Sequence, residues 1–499
     1  MKRKSRRIPH IVLIALALAA VRAPLQAQRN SDAARPAPAI DELEKHIDEM
    51  GARIDGMRQE LIDSRNEMQA MRAELTDLRR ELGEKNVSPA DNAVAALRSS
   101  VVQLQESSDV LQAEVKQHDQ TKVETASKFP LRVSGSVLFT SIVNSGTTDN
   151  IDLPVVALPP QPDAPRGSLS ATARQTILGL DATGPHFGGA RSSAALSVDF
   201  FGGTPYAYTA TAAGLLRLRT AHATLAWPSR ALTVAFDRPI LSPREPTSWI
   251  TLGEPALAWS GNLWIWAPQF EFSQDLSRRW TAELALIDPA APGALEPTGQ
   301  RTPDPAERSR QPGYEAHLGN VMASGERSFE WGAGAYYSRQ AYSYDRHLDA
   351  WAATADWKFA PAPRLEISGA FYRGRGIGGL GGGAFKDYTS YDNYTRLRGL
   401  DDEGGWGQVK WRFSPVVQAN LAAGEDNAFA AGLRGSDYST EQQDAYQSLA
   451  RNLTAYANLV YSPRTYLVFS GEYRQIRSWP IAGSANDNHI FGLAAGYLF

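Results

Sequence analysis

The chain contains no cysteine. That excludes disulfides and thiolate metal sites, and with them a lipid anchor on an N-terminal Cys. Beyond residue 27 it has no apolar run of 18 residues, so no later segment reads as a transmembrane helix. Net charge is only −3, which gives nucleic acid no purchase. The eight His are scattered, and none sits at metal-ligand spacing. No metal, cofactor or nucleic-acid partner is expected.

What is present begins with a basic stretch. Lys2, Arg3, Lys4, Arg6 and Arg7 precede an apolar run from Ile11 to Val21, and small residues around Ala27 follow. This pattern reads as a secretory signal peptide over 1–27. Its removal takes six Lys/Arg and no acid, and shifts the charge from −3 to −9. Residues 28–39 form a short linker.

From Ile40 the apolar positions step by three and four through Leu43, Ile47, Ile54, Leu61, Leu75, Leu78 and Leu82, with Ser64 the polar exception. This heptad series predicts a coiled-coil stalk over 40–84. A parallel pairing sets Glu60 against Arg65, Glu67 against Arg72 and Glu74 against Arg79. An antiparallel one would oppose like charges, so the pattern specifies parallel self-association. Dimer and trimer both fit the mixed Ile, Leu and Met core. Ser88 and Pro89 then start a second helical segment, which with a linker covers 85–128.

The period next falls to two. Trp351, Ala353, Ala355, Trp357 and Phe359 alternate with Thr354, Asp356 and Lys358. Val409, Trp411 and Phe413 alternate with Gln408, Lys410 and Arg412, and Leu467, Phe469 and Tyr473 with Ser470, Glu472 and Arg474. Sixteen such segments begin near 130, 174, 191, 214, 231, 263, 279, 313, 328, 349, 364, 405, 416, 447, 465 and 489. Their connections alternate between short turns and long loops, the asymmetry of outer-membrane barrels. Trp357, Phe359, Trp411, Phe413, Phe329, Trp331 and Trp280 then share one rim, as a membrane interface requires. The fold class is an all-β transmembrane barrel of about sixteen antiparallel strands, range sixteen to eighteen, over 129–499, preceded by the α-helical coiled coil.

A barrel of this size leaves an aqueous channel. The expected pore-lining residues are Arg217, Arg219, Asp356, Lys358, Lys410, Arg412, Glu472 and Arg474. Strand 214–227 fits poorly: with Arg217 and Arg219 inward, Thr220 and His222 fall on the lipid side. The third long-side segment, stiffened by three prolines in Arg238–Pro246, offers Asp237, Arg238, Arg244 and Glu245 as candidates for a constriction. Gly374-Arg-Gly-Ile-Gly-Gly379 matches a dinucleotide-binding spacing, but no helix follows. It reads as a mobile Gly-rich loop, with Arg373 and Arg375 beside it. His222 or His317 beside a Ser would suit an enzyme, although nothing in the spacing assembles one.

The last strand runs to Phe499, with Tyr497 on the same face, and is expected to pair with Leu131–Ile142 and close the barrel. A terminal Phe with an aromatic two places earlier resembles the signal by which outer-membrane barrels address the barrel-assembly machinery. The stalk, the sixteen strands, the final Phe and the opening Phe129-Pro-Leu-Arg-Val-Ser-Gly-Ser-Val-Leu-Phe139 together resemble the DcaP-like family of trimeric outer-membrane porins, in the style of phosphate-selective porins. That resemblance implies homotrimers in outer-membrane lipid, with the stalk in the periplasm, and passive uptake of small hydrophilic, often anionic, solutes such as dicarboxylates. The alternatives are a structural anchor tethered to peptidoglycan, or an outer-membrane enzyme.

Overall fold

The computed structural model describes residues 130–499, apart from 161, 163–165, 204–213, 290–302, 343–344, 394 and 438–445. The chain divides into Met1–Glu124 and Thr125–Phe499, and the described residues all lie in the second unit. The signal peptide, the linker, the stalk with its heptad core and the second helical segment lie outside them.

The strands are β1 (Leu131–Asn144), β2 (Ser168–Thr172 and Ile177–Phe187), β3 (Ala190–Asp199), β4 (Arg217–Trp227) and β5 (Arg230–Asp237). Then come β6 (Ala267–Asp275), β7 (Trp280–Ile287), β8 (Gly313–Ser324), β9 (Arg327–Tyr342), β10 (Arg346–Ala362) and β11 (Leu365–Arg375). The last five are β12 (Asp401–Ser414), β13 (Val417–Ala428), β14 (Leu449–Arg464), β15 (Leu467–Pro480) and β16 (Asn486–Leu498). Each pairs antiparallel with the next, and β16 pairs with β1, so the sheet is a closed sixteen-strand barrel. Closure leaves no unpaired edge, which a membrane demands.

The turns after even strands are short, such as 188–189, 228–229, 363–364 and 465–466. At the other end the connections are loop 1 (145–167), loop 2 (200–216), loop 3 (238–266), loop 4 (288–312), loop 5 (343–345), loop 6 (376–400), loop 7 (429–448) and loop 8 (481–485). Loops 5 and 8 are short exceptions to the alternation.

Period-two patterning sets which face each side chain takes. On β16, Leu493 is 67% exposed on the outer face while Ala494 is 7% exposed on the inner one. The outward aromatics meet across strands near the short turns. Trp280 lies edge-on to Trp331 at 5.4 Å, Phe329 to Phe359 at 6.0 Å, and Trp331 is directly opposite Trp357. They form an interfacial row at that end.

Three local features depart from the sequence reading. The closing seam runs from Ser136 opposite Leu498 to Asn144 opposite Ile490, extended by Gly135 N–H to Phe499 O at 2.9 Å. It does not reach Leu131, because the barrel's stagger carries Leu131–Ser134 past the last residue, where they pair only with β2. Second, β2 breaks at 173–176, where Gln175 turns into the lumen and Thr176 Oγ1 accepts Leu138 N–H at 3.1 Å. Third, Thr220 and His222 do not face lipid. Val198 is opposite Leu218 and Ser197 opposite Thr220, so Arg219 is an extra residue in β4. This bulge lets Arg217 and Arg219 both point inward and shifts Thr220, His222 and Thr224 to the inner face as well. Thr220 Oγ1 then meets Ser197 Oγ at 2.6 Å.

Candidate functional site

The inner face is built from the small and polar residues of each alternating strand, but loop 3 decides which of them meet water. It leaves β5, turns inward and crosses the lumen. Thr354 donates to Leu241 O at 2.9 Å, and Glu315 accepts from Ile240 N–H at 3.0 Å. Arg244 Nε donates to Asp356 Oδ1 at 2.6 Å and its Nη1 to Glu330 at 3.1 Å. Further on, Gln408 accepts from Thr247 N–H at 2.7 Å, and Asn458 and Tyr456 donate to Thr247 O. Ser248 donates to Glu472 at 2.6 Å. Gln175 clasps the next stretch, donating to Ile250 O and accepting from Gly253 N–H, both at 2.9 Å.

Proline and apolar residues make this path possible. Pro239, Pro243 and Pro246 stiffen the descending arm, and Ile250 inserts between Leu138 and Ala494. Glycines clear the wall beneath it: a Cβ on Gly424 would lie 2.2 Å from Ser260 O, and one on Gly492 2.5 Å from Ile250 Cδ1. The loop's own main-chain groups, carried away from water, need these wall partners.

The expected lining residues therefore separate into two kinds. Arg474 Nε and Nη2 both donate to Glu472 Oε1, at 3.0 and 2.7 Å, but the two residues are 2% and 4% exposed beneath loop 3. They brace Ser248 and Thr251 rather than line open water. Asp356 is likewise covered, held between Arg244 and His317. Lys358 bonds Glu330 at 3.0 Å, and Lys410 and Arg412 share Glu366; these sit nearer the short-turn end and keep some exposure. Arg217 and Arg219 share the fully buried Asp199 and donate to the loop carbonyls of Gly253 and Leu252. Arg174 stacks on Phe201 at 4.2 Å, and Arg217 and Arg219 lie over Trp266 at 5.1 and 4.9 Å. Arg238 pairs with Glu245, and both stay partly open to solvent. Asp237 Oδ2 accepts from His222 Nε2 at 2.8 Å.

Neither histidine meets a Ser. His317 lies between Glu283 and Asp356, 2.9 Å from each, and His222 is on Asp237. Among the described residues no three His, Asp or Glu gather as metal ligands.

Loops 1, 6 and 7 pack above loop 3. Val156, Ala384, Leu400, Leu433 and Leu449 make one apolar cluster, and Phe385 stacks on Trp259 at 3.8 Å. The Gly-rich stretch after β11 is thus not a free outer loop. Ile377 and Leu380 are buried, and Trp264 N–H donates to Leu380 O at 3.0 Å. Glycine here serves close approach to loop 3 rather than mobility. Arg375 pairs with Asp401 at 3.0 Å, and Arg373 stacks on Phe429 at 4.1 Å. In loop 3, burial, with Asp149 of loop 1 nearby, pushes Glu254 up to about 8. Gln175, Asp199, Asn458 and Glu283 went unmarked in the sequence, since isolated polar residues on alternating strands carry no signal of what covers them.

The barrel is similar to the outer-membrane channel DcaP of Acinetobacter baumannii, with a TM-score of 0.58 at 18% identity over 75% of this chain and 99% of that one. It is also similar to an anion-selective porin from Comamonas acidovorans (TM-score 0.47, 9% identity, 74% of this chain and 100% of that one). OprB of Pseudomonas putida matches with a TM-score of 0.46 at 9% identity, over 74% of this chain and 94% of that one. No protein-family model matches the chain, and no curated protein matches it. The likeness to DcaP establishes a shared fold, a closed antiparallel barrel. Its apolar outer face is that of a barrel that crosses a membrane.

Proposed function

We propose that this protein is an outer-membrane porin through which small hydrophilic solutes diffuse passively along a water-filled lumen. The observation that carries the reading is loop 3: it crosses the lumen and is anchored on the far wall, while toward the short turns the inner faces of β3–β7, such as Thr224, Thr233 and Glu283, stay half-exposed and polar. A structural anchor or an enzyme would have no need of a wall hydrated on one side and braced on the other.

In this reading Asp237, Arg238, Arg244 and Glu245 shape the constriction, and mixed charges set a transverse field that favours polar solutes. Among the described residues, Arg174, Arg217 and Arg219 pair with two carboxylates, Asp152 and Asp199, which supports an anionic preference along that wall. The heptad stalk trimerises the porin or spaces it in the periplasm. Tyr497 and Phe499 address it to the barrel-assembly machinery.

The test is conductance of the purified mature protein in planar bilayers, with the reversal potential read in a salt gradient. Openings in groups of three and a reversal potential shifted toward that of the anion are expected. Arg219→Ala should reduce that shift. Absence of conductance at every voltage would sink the channel reading, and an unshifted potential would remove the anionic preference alone.

A further inference from the structure

Loop 6 crosses the long-loop mouth on a backbone that has to be held in place. Ala384 and Phe385 have φ of 45° and 67°, a left-handed conformation in residues other than glycine. Each costs on the order of 1–2 kcal/mol. Three carboxylates grip the loop by its N–H groups. Gly379 donates to Asp387 Oδ1 at 3.2 Å, Gly383 to Asp402 Oδ2 at 2.9 Å and Ala384 to Asp426 Oδ2 at 2.9 Å. All three acids are buried, Asp402 and Asp426 completely.

Asp402 is opposite Ala428 and Asp426 opposite Gly404, so the two acids are diagonal neighbours on the inner face of β12 and β13. Gly383 and Ala384 are successive residues, so their N–H groups bring the two carboxylates together, and Oδ1 of each is buried without a hydrogen-bond partner. Two carboxylates can join in this way only with a proton between them.

Among the described residues, few groups face the pair. From β11, Tyr372 lies against both acids, and its hydroxyl fills the space above Gly404, where a Cβ would be 2.3 Å away. From loop 6, Lys386 faces them while donating to Ala384 O and Leu449 O, each at 2.5 Å. Loop 3 brings Trp259, Ser260 and Gly261, and β14 brings Asn452, all uncharged. Arg373 reaches only the main-chain oxygen of Asp402. With one shared proton, the two acids and Lys386 sum to zero. Without it, an extra negative charge is shut in a site that water does not reach, which is costly.

The geometry points to a proton-operated latch: while Asp402 and Asp426 share a proton, loop 6 is held down in the mouth, and loss of that proton releases it. The latch rests on the channel reading for its purpose, not for its chemistry. Asp387, inside the loop, works in the same direction. Burial raises it from 3.8 to about 7, so the seated loop loses stability as pH climbs through that range.

The test uses the full mature chain, folded in detergent and in bilayers, at about pH 6 and about pH 9.5. Trypsin, normalised for its own activity at each pH, reads access to the buried Lys386–Asp387 bond. In the wild type, cleavage there should accelerate about tenfold at the higher pH, the equivalent of ~1.4 kcal/mol of release, and single-channel conductance should rise. In Asp402→Asn the amide donates to Asp426 and its carbonyl still accepts Gly383 N–H, so both responses should shrink to the part that Asp387 supplies. Asp426→Asn serves if that variant does not fold, with folding checked by heat-dependent gel migration. Wild-type cleavage and conductance that ignore pH would overturn the latch, as would an Asp402→Asn that follows the wild type. A pH-dependent cleavage in a protein that never conducts would leave the latch and overturn the channel.

Discussion

The lumen wall has two halves built from the same kind of strand. On β13–β16 and β1 the inner residues, among them Asn420, Asn458, Glu472, Arg474, Asn488 and Thr140, are 5% exposed or less. On β3–β7 Ser193 and Asp275 are exposed, and Thr224, Thr233 and Glu283 are half-exposed. Residue polarity does not separate the halves. The first half faces loop backbone and supplies it with amides, hydroxyls and one ion pair. The second faces the open lumen, and its polar groups pair along the wall, as Thr224 does with Thr233 at 3.1 Å and Glu283 with His317 at 2.9 Å. A polar residue on the inner side of a barrel strand is therefore either lining or bracing, and only its neighbour across the lumen decides which.

The contrast can be broken first where a buried charge would be stranded. Glu472→Ala leaves Arg474 unpaired under loop 3 and should cost about 3–5 kcal/mol. It would be read as the temperature at which the compact gel band is lost. A loss under ~1 kcal/mol would mean that the pair is hydrated after all. A smaller effect is expected from crowding. Gly404→Ala places a Cβ 2.3 Å from the Tyr372 hydroxyl, 2.5 Å from its Cζ and 2.7 Å from Glu425 O and should cost about 1–3 kcal/mol, little of it recovered in the double variant with Tyr372→Phe. Full rescue by Tyr372→Phe would show that the hydroxyl alone crowds the site. Gln175→Ala removes the clasp on Ile250 and Gly253, should cost about 1–2 kcal/mol, and should make the open channel noisier in bilayer recordings. On the open half, Ser193→Ala and Thr224→Ala should stay within about 0.5 kcal/mol by the same gel assay. A larger loss there would erase the distinction between the halves.

Much of the barrel was legible because alternation is a local property. Trp351 to Phe359 and Val409 to Phe413 declare their outward face without reference to any partner, and short Pro-containing turns such as 360–363 mark the strand ends. The sequence also marked loop 3 through its prolines and position. It failed where one residue changes the count. Arg219 as a bulge restores an inner face that strict alternation assigns to lipid, and period-two reading has no place for an extra residue. It failed again at Gly374–Gly379, where glycine content suggests freedom but a Cβ on Gly374 would lie 2.6 Å from Trp351 O and one on Gly378 2.7 Å from the Lys386 carbonyl carbon.

By itself, then, the sequence determined the number of strands, the apolar outer belt with its aromatic row, and the short-turn and long-loop ends. Each follows from side-chain periodicity within a few residues. Only the tertiary structure decided where loop 3 goes, which half of the lumen it seals, and that Glu472, Arg474 and Asp356 brace it. Those outcomes depend on unpaired main-chain groups and side chains of loop 3 finding donors and acceptors on strands 209 to 224 residues away. Such pairings are set by barrel closure, and no local pattern records them.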